Sequence, residues 1–210
     1  MKFYDYIGAP NPRRARIFIK EKELDIETIQ IDLFDKEQFS DNFKMINPRC
    51  TVPVLELDDG TKITENAGIA AYLEALHPEL PLLGTSPAEK GLIANWNARC
   101  EYEGIASVAE AFRNSAPGFA DRSVTGPTSF PQLTGLVERG IHRANEFLET
   151  LNNRLEESKF VATEQFSIAD ITAFVVIDFA KWVKVEVPDD YVHLNRWYEE
   201  INARPSVVDD

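Results

Sequence analysis

Cysteine is scarce in this chain. The 210 residues hold two, Cys50 and Cys100, too few and too far apart for a disulfide scaffold or a thiolate metal site, and so low a count fits a reducing compartment. Long apolar runs are also missing. No stretch reaches the roughly 18 apolar residues of a membrane-spanning helix, so no span is expected. The opening MKFYDYIGAP has one Lys ahead of Asp5 and no extended apolar core, and it does not read as a secretory signal. Positive charge is outnumbered, with 35 acidic residues against 22 basic ones and a net charge of −13. No basic cluster is large enough to follow a phosphate backbone, which excludes nucleic acid as an expected partner. Internal repeats and low-complexity tracts are absent too. These absences describe a cytoplasmic protein whose acidity serves solubility.

What remains is ordinary for a globular chain, 44% hydrophobic and 27% charged. Residues 4–24, YDYIGAPNPRRARIFIKEKEL, read as a strand turning directly into a helix, with Asn11 and Pro12 as its N-cap and first residue. A helix N-terminus at that point suits an anion. Yet the turn, Gly8-Ala9-Pro10-Asn11-Pro12, offers no Cys, Ser, Thr or Tyr. Residues 26–33 alternate as a second strand. A polar, weakly helical stretch follows, with Phe39, Phe43 and Ile46 on its apolar side. Runs 54–57 and 61–64 flank Asp59-Gly60, a strong hairpin signal. Ala67, Ile69, Ala70, Leu73 and Leu76 then recur at helical spacing up to His77-Pro78. The order βαβ followed by αββα makes the sheet mixed.

Proline-rich residues 79–87 read as a linker between a first domain, 1–78, and a second, 88–210. The second is read as all helical. Leu92, Trp96, Cys100, Gly104, Val108 and Phe112 recur every four residues and predict one long amphipathic helix. After a loop over 114–132 come a helix carrying Val137, Ile141, Ala144, Leu148, Leu151 and Leu155, a central buried helix in ITAFVVIDFA, and a last helix with Leu194, Trp197, Tyr198 and Ile201.

Four segments, NPRRARIFIKEKEL, INPRCTVPVLELDDGTKITENAGIAAYL, FSIADITAF and WYEEINARPS, carry a resemblance to the cytosolic glutathione S-transferase family, in its bacterial form, along nearly the whole chain. The resemblance implies a thioredoxin-like N-terminal domain with a four-stranded mixed sheet, βαβαββα, an all-α C-terminal domain, a homodimer, and glutathione as co-substrate added to a small hydrophobic electrophile.

It also implies a set of site residues. Pro53 is expected to be cis, so that the backbone of Val52 pairs with the cysteinyl part of glutathione as an added strand would; an ordinary proline turn is the alternative. Glu65 suits the ligand's ammonium, and Asn66, where the family usually has Ser, suits its γ-glutamyl carboxylate or simply caps the next helix. Gln38 falls toward the glycine end of the ligand or is solvated, and Arg13 and Arg14 either supply positive potential near the terminus of the first helix or lie in a solvated first turn. Ser167 and Asp170 form a capping box, whose loss in Asp170→Ala is expected to cost about 1–3 kcal/mol. No metal is expected.

The thiol-activating group is the departure. The turn resembles the Thr-Pro-Asn group of glutathione transferases and disulfide-bond reductases, with Ala9 in place of Thr. Asn11 is the candidate catalytic residue, by donating a side-chain N–H to the thiolate, although Asn before Pro is also a preferred cap. Tyr6, then Tyr4, are runners-up, although they share one strand face and core packing is the better reading for at least one of them. Cys50, where the family often has Gly, is read as inert or as a partner for a mixed disulfide, and Cys100 as core. Tyr102, Phe112, Arg113 and Phe119 are candidate walls of the electrophile site; Arg99 and Glu101 fit solvent or a dimer contact equally. A glutathione-dependent disulfide-bond or peroxide reductase, and a non-catalytic binding or regulatory module on the same fold, stay open beside the transferase.

Overall fold

The first element, β1 (Lys2–Asp5), lies at the middle of a four-stranded sheet and takes its place from residues buried on both faces. It pairs in parallel with β2 (Glu27–Gln30) and antiparallel with β3 (Val54–Glu56), which pairs in turn with β4 (Lys62–Ile63). The sheet order is β2-β1-β3-β4, mixed as expected. Helix α1 (Pro10–Glu21) makes the parallel crossover, α2 (Asp41–Ile46) follows a short 3₁₀ turn at Glu37–Phe39, and α3 (Asn66–Leu76) closes the unit. The computed structural model describes residues 1–208.

Strand β2 is shorter than the 26–33 read from the sequence. Asp32 Oδ1 accepts from Phe34 N at 2.8 Å and Asp35 N at 3.0 Å, and this side-chain turn ends the strand. The hairpin turns at Gly60, φ 83°, a conformation that an L side chain disfavours. Lys22, buried, donates to the carbonyls of His77 and Glu79 and pairs with Glu74, so one ammonium serves the C-terminal end of α3.

Two compact units emerge among the described residues: Met1–Leu80 with Val124–Thr128, and Pro81–Ser123 with 129–208. The second unit is helical, built of α4 (Pro87–Arg99), α5 (Ala106–Ser115), α6 (Thr134–Glu157), α7 (Ile168–Ala180), α8 (Val192–Asn202) and α9 (Pro205–Val208). A capping box between Ser86 and Glu89 starts α4. The single long helix read from Leu92 to Phe112 is interrupted by a π-helical segment, Cys100–Ile105. A four-residue repeat drifts by about 40° per step on a 3.6-residue helix, so its stripe cannot hold one face. Accordingly Leu92 is exposed and Ile93 is buried in its place, and the wider π turns take up part of the drift. Gly104 faces Phe147 and Val176, where an added Cβ would stand 2.8 Å from each. Helix α7 is buried nearly throughout, as its all-round apolar sequence requires. At its start Ser167 and Asp170 form the expected capping box, and Asp170 also accepts from Val161 N at 2.8 Å and Trp197 Nε1 at 2.9 Å.

Candidate functional site

The loop from β1 to α1 is pinned before it reaches the helix. Asp5, fully buried, accepts from Arg16 Nη1 at 2.7 Å and from Gln30 Nε2 at 2.6 Å. Arg16 also reaches the carbonyls of Tyr6 and Ile7, at 3.4 and 3.2 Å, and Gln30 Oε1 accepts from Ile7 N at 3.0 Å. Ala9 N to Tyr6 O, 3.0 Å, completes the turn. The sequence reading missed all three of these residues; an acid at the end of a buried strand and an arginine inside an apolar helix face were the available signals.

Helix α1 begins two residues earlier than expected. Pro10 takes the first helical position, Ala9 is the N-cap, and no side chain caps the end. Asn11 is therefore not the cap. It is exposed, and its Oδ1 accepts from Arg14 Nη1 at 3.3 Å. This start leaves few donors. Pro10 and Pro12 have no N–H, and Arg13 N bonds Ala9 O at 3.3 Å. Of the N–H groups that a helix start leaves unpaired, this turn keeps that of Asn11, which has no backbone partner among the described residues. Arg14 is buried, against the solvated first turn read for it.

Tyr4 leaves the list of candidate activators. Its hydroxyl donates to Glu56 Oε2 at 2.7 Å, and burial, with that hydrogen bond second, pushes its pKa up to about 12. Tyr6 is half-buried and packs on the same cluster as Tyr4, with Phe43, Val52 and Val54. Its ring lies against Gly8, where an added Cβ would come 3.0 Å from Cε1.

Cys50 sits in the left-handed region at φ 55°, which accounts for glycine suiting this position, and it is buried with Sγ 3.6 Å from Pro48 O. Asn47, also buried, holds the same turn by donating to Thr51 O at 2.8 Å and accepting from Arg49 N at 3.0 Å. The turn leads into the Val52–Pro53 peptide, which is cis. Among the described residues neither backbone polar group of Val52 is drawn into a hydrogen bond.

Gln38 and Asn66 share an unusual state. Gln38 is 3% exposed and Asn66 8%, and among the described residues Gln38 Oε1 and Asn66 Oδ1 are buried without a hydrogen-bond partner. The solvated reading of Gln38 is thereby overturned. The capping reading of Asn66 fails as well: Glu65 is the N-cap of α3, Asn66 is the first helical residue, and no side chain caps this end either. Buried polar atoms are nearly always paired, so two orphans on one small unit call for a partner from outside the chain, a ligand or a bound water. A carboxamide can serve either ligand charge, oxygen toward an ammonium or N–H toward a carboxylate. Glu65 itself is exposed.

In the helical unit, Phe112 stacks edge-on against Phe119, Phe179 and Trp182 at 5.2–5.7 Å, and the Arg113 guanidinium lies 4.5 Å over Phe119. Burial, with Arg122 second, lowers the pKa of Arg113 to about 10. Tyr102 does not join them; it is 78% exposed, and its carbonyl accepts from Arg143 at 2.7 Å. Arg99 is committed to Glu103 at 2.9 Å and to the face of Trp96. Cys100 is buried, as expected, and no cluster suited to a metal occurs among the described residues.

Comparison with known proteins bears on both units. The family model for the glutathione S-transferase N-terminal domain matches residues 9–76, and that for its C-terminal domain residues 124–205. Glutathione S-transferase 2 of Saccharomyces cerevisiae is 36% identical over 212 residues, spanning 99% of this chain and 88% of that protein. The crystal structure of Gtt2 from the same yeast superimposes with a TM-score of 0.91 at 34% identity, over 100% of this chain and 99% of the other. That of a glutathione S-transferase domain-containing protein from Marinobacter aquaeolei gives 0.90 at 35%, over 99% and 100%. Similarity of this extent, through both units, is that of common descent: the chain belongs to the glutathione S-transferase family.

Proposed function

We propose that this protein is a glutathione transferase that binds reduced glutathione on its first unit, holds it as thiolate at the start of α1, and adds it to small hydrophobic electrophiles. The observation that carries the reading is the pair of buried, unpartnered amide oxygens on Gln38 and Asn66, in a chain of this family. The ligand's γ-glutamyl end would take Asn66, the open N–H groups of the first turn of α3, and Glu65. Its cysteinyl backbone would pair with Val52 beside Pro53, and its glycyl end would lie toward Gln38.

The reacting sulfur would face Asn11. The chain would lower the thiol's pKa, so that the proton leaves to water and the thiolate attacks the electrophile, forming the carbon–sulfur bond while the leaving group departs or the adduct takes up a proton. Stabilisation would come from the Asn11 amide groups and the α1 dipole, with no covalent enzyme intermediate. In this reading residues 1–78 form the glutathione domain, 88–210 the helical domain, and the protein acts as a cytoplasmic homodimer. Phe112, Arg113 and Phe119 would contribute to the electrophile site.

Calorimetric titration with reduced and oxidised glutathione tests this directly, on the wild type, Asn11→Ala and Asn11→Pro. Proline is tolerated in a first turn, so Asn11→Pro removes the last free N–H while Asn11→Ala removes the side chain alone. Retained affinity with turnover reduced roughly tenfold or more in Ala, and further in Pro, is the expected result. Full turnover in both variants moves the role to Tyr6. Markedly tighter binding of oxidised glutathione replaces the transferase by a disulfide reductase, and no binding at millimolar concentration replaces it by a non-catalytic module.

A further inference from the structure

The connection from α5 to α6, residues 116–133, is far longer than the about two to eight residues that usually join helices of a bundle. It is also firmly built. At its base Arg113 donates to Ser123 O at 3.2 Å and to Arg122 O, Gln132 Nε2 donates to Arg113 O and Ala116 O at 2.8 Å each, and Leu133 N donates to Asn114 Oδ1 at 2.9 Å. Ser123 N bonds Phe130 O at 3.1 Å and Phe130 N bonds Asp121 O at 3.0 Å, closing the base across Arg122 and Phe130. The Arg113 and Arg122 guanidinium groups lie 4.5 and 5.6 Å from the Phe119 ring.

The tip behaves differently from the base. Val124–Thr128 groups with the first unit, not with the helices that flank it in sequence. Gly126, at φ 122°, lies beside the backbone of Arg49, where an added Cβ would be in ordinary van der Waals contact with the Arg49 carbonyl oxygen at 3.7 Å. Arg49 belongs to the turn that Asn47 braces and Cys50 strains, three residues ahead of Val52.

We propose that Val124–Thr128 is a positioning element of the glutathione site, a braced tip that holds the 47–51 turn so that the Val52 backbone stands ready for the cysteinyl part of the ligand. This rests on the glutathione reading of Val52 given above. A turn held by its own side chains alone would sample more conformers, and the ligand would lose affinity in selecting the competent one.

The test replaces Val124–Thr128 by five glycines, which keeps the reach and removes side chains and proline stiffness. Expected are a rise of roughly tenfold in the glutathione KM and in its calorimetric Kd, an unchanged kcat, and faster amide exchange over 47–52. A loop that only supported the fold would lower the melting temperature without this split between KM and kcat. If the pentaglycine chain fails to fold, Gly126→Val, which disfavours φ 122°, must shift the glutathione KM in the same direction. A folded variant with wild-type KM for glutathione overturns the inference alone. A wild type that binds no glutathione overturns the reading beneath it as well.

Discussion

Arg16 Nη1 lies 2.7 Å from Asp5 Oδ1, and the same guanidinium spans to the carbonyls of Tyr6 and Ile7. A strand-end carboxylate with no access to solvent is thus paired by a cation that also fixes the loop leading to Asn11. Lysine could keep the charge pair but lacks the planar fork needed to hold two carbonyls at once. Arg16→Lys is therefore expected to fold with little loss of stability while turnover drops several-fold at unchanged glutathione affinity. Removing the charge, in Arg16→Ala, would leave a buried carboxylate unpaired and cost about 3–5 kcal/mol. Urea unfolding and steady-state kinetics on the two variants check this, and equal kinetics in Arg16→Lys and wild type would remove the loop from the mechanism.

Gln38 and Asn66 are expected to act on binding and not on the free protein's stability. Each holds a buried oxygen without a donor, which costs the ligand-free state about 1–3 kcal/mol. Gln38→Leu and Asn66→Ala should therefore melt at or above the wild-type temperature while glutathione affinity falls roughly tenfold. Variants that lose stability and keep affinity would show the two amides to be structural.

Asp170 carries a pH prediction. Burial raises its pKa to about 6, despite the hydrogen bonds from Val161 and Trp197 that favour the anion. In the unfolded chain a carboxyl titrates near 3.9, so between about 4 and 6 the native state holds a proton that the unfolded state releases. This contribution is fully present below about 4 and lost as pH rises through 6, amounting to about 2–3 kcal/mol. Wild type should thus gain stability relative to Asp170→Asn between pH 7 and pH 5, a difference in which all other carboxylates cancel. A flat difference over that range contradicts the assignment. Asp170→Ala is expected to cost about 3–5 kcal/mol, above a capping residue's usual share, since Val161 N, Ser167 N and Trp197 Nε1 would all lose their acceptor.

At Cys50 the left-handed backbone separates two effects of shortening the side chain. Alanine keeps the Cβ that this conformation disfavours, and glycine removes it. Cys50→Gly should be more stable than Cys50→Ala by about 1 kcal/mol, with wild-type turnover in both because the thiol is buried. A loss of turnover in both variants would instead give the sulfur a chemical role.

Much of this was written in local sequence. Alternation, Asp59-Gly60 and the Ser167/Asp170 box are short-range signals, because strand pleat, hairpin turn and helix cap each depend on a few neighbouring residues. They set the mixed sheet, the order of elements and the buried α7. The start of α1 was misplaced because two prolines and an asparagine each suit a helix start, and only the packed loop selects Pro10 as the first residue. The four-residue stripe over 92–112 was legible as apolar but not as a helix with a π segment, since the drift is resolved by what packs against it.

The sequence by itself determined which backbone conformations were inexpensive and which residue types stood near the turn. Tertiary structure decided which polar atoms went unpaired. That Arg16 belongs to Asp5, that Tyr4 gives its hydroxyl to Glu56, and that Gln38 Oε1 and Asn66 Oδ1 are buried without a partner among the described residues are facts about residues distant in the chain. Hydrogen-bond satisfaction is a property of the closed three-dimensional arrangement, and no local pattern encodes it.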